Sequence, residues 1–91
     1  MAKRNLIEAP NENVFWLADG KQVKNLRELL DTLNTLDEAT FLHHVNKERN
    51  DFARWIHDIL DDEELARKIW RFKSKNQLIK LIDSHLRKNY A

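Results

Sequence analysis

Four histidines, a group of amides beside an acid, and a run of four acids are the side chains that could do chemistry in this chain. The histidines are His43, His44, His57 and His85. Their spacing argues against a metal site. No His-Glu-x-x-His pattern occurs. His43 and His44 would project about 100° apart on a helix, whereas zinc needs three or four converging ligands. Cysteine is absent, which removes disulfides and thiolate metal sites. No metal and no other cofactor is expected. His57-Asp58 has no nucleophile in a diagnostic context, because Ser74, Ser84 and the threonines sit in ordinary surroundings. Asp61-Asp62-Glu63-Glu64 reads as a helix start, where acids offset the positive end of the dipole. Gly20 is the single glycine, so glycine-rich phosphate cradles are excluded. The expectation is a protein that is not an enzyme.

Two groups of residues remain as binding candidates. The first is His44, Asn46, Asn50 and Asp51, clustered around a turn between two helices. Capping explains the same residue types: Asn46 suits a left-handed helix C-terminus, Asn50 an N-cap, and Asp51 a first turn. The second group lies in the C-terminal part: Arg67, Lys68, Trp70, Arg71, Phe72, Lys73 and Lys75, continued by Lys80, Arg87 and Lys88. Bases interleaved with aromatics can neutralise phosphates and stack on bases. They can equally form a solvated face over a core that holds Trp70 and Phe72. The three tryptophans, Trp16, Trp55 and Trp70, are each large enough to anchor either a core or an interface. In a chain of 91 residues at least one is expected to be partly exposed in a groove.

The elements that position these side chains follow from caps and periodicity. Val14-Phe15-Trp16-Leu17-Ala18 is a strand-forming run, and Asp19-Gly20 suits a two-residue type I′ hairpin loop. That loop would set Trp16 opposite Val23. Asn25 with Glu28 opens a helix whose Leu26, Leu29, Leu30 and Leu33 make one apolar stripe. Further start signals fall at Thr35-Leu36-Asp37-Glu38, Asn50, Asp61 with Glu64, and Ser74 with Gln77. Phe41, Phe52, Ile56 and Ile59 join the leucines as the expected core. The fold class is therefore mainly α: four to five short helices around one small core, with an N-terminal β-hairpin. Residues 1–13, polar and containing the single proline, read as a flexible arm; residues 14–91 form one helical domain.

Charge is segregated along the chain. Residues 26–64 hold four basic and eleven acidic side chains, and residues 65–91 hold eight basic and one acidic, within a total of +1. Opposite fields on two segments bias contacts within the chain or with partners. A helix-turn-helix built from the third and fourth helices fails on this count. Its reading helix would present Asp62, Glu63 and Glu64 to phosphates. No apolar run approaches the roughly 18 residues of a membrane span, and no signal peptide is evident. A cytoplasmic location without membrane association is expected.

A longer pattern runs through these residues: Phe15-x-Leu17-x-Asp19-Gly20, Lys24-Asn25-Leu26-x-Glu28-Leu29, Phe41-x-x-His44-Val45-Asn46, Asn50-Asp51-Phe52-x-x-Trp55-Ile56 and Glu64-Leu65-Ala66. It resembles a family of short archaeal and bacterial domains of unknown function, over roughly residues 14–82. The resemblance implies the fold and points to the residues to watch, and it implies no reaction. The functional expectation is a non-catalytic interaction module that binds a protein partner or its own copy. The alternative is a nucleic-acid-binding accessory protein that uses the basic C-terminal helix.

Overall fold

In the computed structural model, which describes residues 4–90, a β-hairpin leads into five α-helices. Strands β1 (Phe15–Trp16) and β2 (Gln22–Val23) pair antiparallel. The helices are α1 (Leu26–Thr35), α2 (Glu38–His44), α3 (Asp51–Asp58), α4 (Glu63–Trp70) and α5 (Lys75–Asn89). Each starts at a side chain that accepts a hydrogen bond from a backbone N–H three residues on: Asn25, Asp37, Asn50, Asp62 and Ser74. These caps satisfy donors that a helix start leaves without partners. At α1 the Glu28 carboxylate reaches back to Lys24 N–H at 2.9 Å, one residue before the cap itself.

The hairpin differs from its expected register by one residue. Phe15 pairs with Val23 and Trp16 with Gln22, and Leu17 N–H donates to Lys21. The loop therefore has three residues, Ala18, Asp19 and Gly20. Gly20 holds φ at +95°, as in a turn closed by a left-handed residue. Because side chains alternate across a strand, this shift reverses the two faces. Phe15 enters the core and Trp16 is 60% exposed.

The fourth helix starts at Asp62, not Asp61. Asp61 adopts φ +55°, and Asp62 N–H reaches back to the carbonyl of Ile56 at 3.2 Å. This backbone bond, reaching six positions back across a left-handed residue, closes the chain after α3. The left-handed conformation expected of Asn46 after α2 is not found there; among the described non-glycine residues it occurs at Asp61, after α3. Asn46 instead closes the turn after α2: its N–H donates to the Arg49 carbonyl and its Oδ1 accepts from Glu48 N–H.

The core runs through all five helices. Leu26, Leu29 and Leu33 of α1, Phe41 of α2, Phe52 and Ile56 of α3, Leu65 and Ile69 of α4, and Leu78 and Ile82 of α5 belong to one buried cluster, in which α1 packs on α5 and α3 on α4. Leu30 and Ile59, expected inside, are only partly buried at its edge. Phe15 stacks on Phe52 at 5.0 Å between ring centroids, so the hairpin is pinned to α3. Such aromatic pairs add to the burial of their area.

The arm expected over residues 1–13 is, in its described part, laid against the domain. Ala9 is buried and its N–H donates to Lys24, while Glu8 accepts from the Asn25 amide. A single 3-10 turn follows at Asn11–Asn13, and the Asn13 carbonyl accepts from the Trp55 indole at 2.8 Å. Residues 1–3 lie outside the described residues.

Candidate functional site

Of the first group of candidates, the structure brings together His44 and Asp51, while Asn46 and Asn50 serve other contacts. His44 is buried at the end of α2, with Nε2 accepting from the Ala18 N–H at 3.0 Å. A backbone N–H can only donate, so Nδ1 is the protonated nitrogen, and it donates to Asp51 at 3.0 Å. His44 thus ties the hairpin loop to α3. Asn50 is buried, caps α3 and donates from Nδ2 to the Ile69 carbonyl at 3.0 Å, which joins α3 to the end of α4. Asn46 is exposed and serves its own turn. Trp55 is 7% exposed, with its indole hydrogen-bonded, and is a core residue and not a surface anchor. These side chains fasten elements to one another.

A second buried constellation escaped sequence reasoning. Asp62, His85 and Tyr90 are all nearly inaccessible. His85 Nε2 donates to Asp62 Oδ2 at 2.9 Å, the Tyr90 hydroxyl donates to the same oxygen, and Asp62 Oδ1 accepts from Leu65 N–H. The Asn89 amide meets His85 Nδ1 at 3.1 Å, and Lys68 Nζ stands 3.5 Å from it. Arg4 closes the outside. Its guanidinium lies 3.5 Å from Asp62 and over the Tyr90 ring, and its N–H donates to the Asn89 carbonyl.

Burial pushes the Asp62 carboxyl up, but hydrogen bonds from Tyr90, Leu65 and His85 outweigh it and hold the carboxyl below the usual carboxylate range. Burial, then the bond to Asp62, pushes the Tyr90 phenol up. An acid-histidine pair can polarise a nucleophile. Here the second histidine nitrogen faces an amide and an ammonium, and the Tyr90 hydroxyl is committed to Asp62. The arrangement is a latch that joins both ends of the described chain to the start of α4. A signal for it existed: His85 falls on the α5 stripe of Leu78, Ile82 and Leu86.

The C-terminal candidates divide. Lys75 is half-buried, and its ammonium donates to the Leu36 carbonyl at the end of α1, where a helix favours a cation. Phe72 is half-buried and packs on the core, whereas Trp70 is 51% exposed. Arg71, Lys73 and Lys80 are exposed. Phe72 and Leu81 form the floor of a shallow groove between the end of α4 and α5. One part of it, of about 320 Å³, is lined also by Arg67, Lys68 and Arg71. An adjoining part, of about 240 Å³, is lined also by Gln77 and Lys80. Among the described residues, no carboxylate lies within ion-pair distance of Arg67, Arg71, Lys73 or Lys80, and Lys68 pairs with Glu64 at 3.1 Å. Apart from Lys68–Glu64, the acidic segment therefore leaves the cations of this groove unneutralised. Leu81 and Gln77 were missed because they fall off the buried stripe of α5.

Among the described residues no three His, Asp or Glu side chains are placed to hold a metal ion, and no helix is long and apolar enough to cross a membrane. The molecule is thus a small helical domain with an N-terminal hairpin, a latched pair of ends and one basic groove. The chain belongs to the family of unknown function DUF5752, whose model matches residues 10–90. Neither the curated proteins nor the solved structures contain a match to it.

Proposed function

We propose that this protein is a non-catalytic interaction module that binds a protein partner through the α4–α5 face. The observation that carries the reading is the groove: an apolar floor of Phe72 and Leu81, rimmed by four cations of which only Lys68 has a carboxylate partner. Fully desolvated apolar contacts supply most of the affinity in protein interfaces, and rim charges steer and orient. The constellations elsewhere that could suggest catalysis, His44–Asp51 and Asp62–His85–Tyr90, are occupied in holding the fold together. A cytoplasmic protein without membrane association fits this role.

The test is a capture from the native host with tagged wild type and an Arg71→Glu/Lys80→Glu variant. Both positions are exposed, so the variant keeps the fold. A partner held by wild type and lost from the variant supports the reading. Identical captures by the two overturn it. A second reading, binding of nucleic acid, is favoured by the exposed Trp70 beside Arg71 and Lys73. Titration with mixed-sequence DNA and RNA separates the two, because phosphate binding weakens steeply with salt.

A further inference from the structure

We infer that the occupant of the α4–α5 groove is a short acidic segment of a partner protein. One bulky apolar side chain of it seats on Phe72 and Leu81, and carboxylates flank that side chain on Arg67, Arg71 and Lys80. This rests on the interaction reading above and adds the chemistry of the partner.

Size and floor come first. The two parts of the groove, about 320 and 240 Å³, sit at the small end of ligand sites. They suit a side chain and its neighbours. The floor is carbon from Phe72 and Leu81, which are partly buried and packed against the core, so it is preorganised for an apolar group. Charge comes second. Four cations line the groove, Arg67, Lys68, Arg71 and Lys80, and Lys68 alone has a carboxylate within reach. Like charges gathered without counter-charges repel one another, and an anionic occupant relieves that repulsion. Arg67 and Arg71 both carry the planar fork that matches a carboxylate.

A nucleic acid fits less well. Duplex DNA carries one charge per about 1.7 Å of axis. A polyanion running beyond the groove would meet a molecule whose residues 26–64 hold eleven acidic and four basic side chains. A short segment meets only the cations.

Fluorescence anisotropy tests this with full-length protein and a short labelled peptide of Glu and Ser around one central Leu. The comparison probes carry Ala for the Leu, or Lys for the Glu, and a single-stranded oligonucleotide is the polyanion. The Glu-Leu peptide is expected to bind, and to weaken about tenfold or more with Ala at its centre and again with Arg71→Glu. The Lys peptide is expected not to bind. Equal binding of the Ala peptide, tighter binding of the oligonucleotide, or no binding of the Glu-Leu peptide overturns the inference. If the peptide fails while a captured partner still depends on Arg71 and Lys80, only the acidic-segment assignment falls. If neither depends on them, the interaction reading falls with it. A second copy of the chain as occupant would appear as an oligomer in sedimentation that Arg71→Glu dissolves, and that result too overturns the assignment.

Discussion

Replacing Asp62 with alanine removes one carboxylate and breaks three attachments at once. The Leu65 N–H loses its cap, which costs about 1 kcal/mol. His85 Nε2–H and the Tyr90 hydroxyl are left buried with no acceptor, at about 1–3 kcal/mol each. The three losses share one oxygen pair and are not additive. Removing one partner of a buried charged network costs about 3–5 kcal/mol as a whole. A domain of this kind is stable by only about 5–15 kcal/mol. With a urea slope of about 1–2 kcal/mol/M, the midpoint should fall by about 1.5–5 M. The assay is urea unfolding followed by far-UV circular dichroism. Asp62→Asn serves as the milder variant if the alanine protein does not fold, since it retains volume and a cap acceptor. A double-mutant cycle with Tyr90→Phe should show that the paired loss is smaller than the two single losses together. A cost below about 1 kcal/mol for Asp62→Ala would mean that Asp62 is a cap and nothing more, and the latch argument would fail.

Three further outcomes follow from the structure. Tyr90→Phe should lower stability most at neutral pH: the depressed Asp62 contribution is present above the ordinary carboxylate range near pH 4 and fades below it, while the raised Tyr90 contribution is present below about pH 10 and fades above it. A gap between wild type and variant that stays constant from pH 3 to pH 11 in chemical unfolding would contradict this. Phe52→Ala, at a fully buried position stacked on Phe15, should cost about 3–5 kcal/mol in the same assay, and a cost under 1 would move Phe52 out of the core. Gly20→Val should cost more than about 1 kcal/mol from backbone strain alone, because φ is +95° and a Cβ there meets no atom within 4 Å; an unchanged melting temperature would refute the turn.

The helix starts were legible because capping is local. Asn25, Asn50 and Ser74 each bond a backbone donor three residues on, and side-chain type and spacing suffice to place them; within Thr35-Leu36-Asp37-Glu38 the structure selects Asp37 as the cap. Asp61 and Asp62 were harder to separate, because either acid can cap; the choice depends on α3 ending through a left-handed residue. The hairpin register failed for a similar reason. Asp19-Gly20 fits both a two-residue and a three-residue loop, and burial of Phe15 against His44, Phe52 and Trp55 selects the second. The latch was illegible as a whole. It joins positions 4, 62, 85 and 90, and no local pattern announces a contact across such separations. The basic residues were legible as a group, but their division into groove rim and helix-end partner was not. Lys75 differs from Lys73 only in which carbonyl its chain can reach after folding.

The bridge between Arg4 and Tyr90 brings the two ends of the described chain side by side, with the Arg4 N–H on the Asn89 carbonyl at 2.7 Å. The domain therefore presents to a host polypeptide two neighbouring points of attachment. Spliced into a surface loop, it would hold the loop's ends about one strand spacing apart, near 4.8 Å. The host would then carry a whole domain where a tight turn had been, which folded proteins tolerate at exposed loops. The same adjacency suits circular permutation. A short linker across Arg4 and Tyr90 would leave the latch in place, and new ends could be opened in the exposed turn at Lys47 and Glu48.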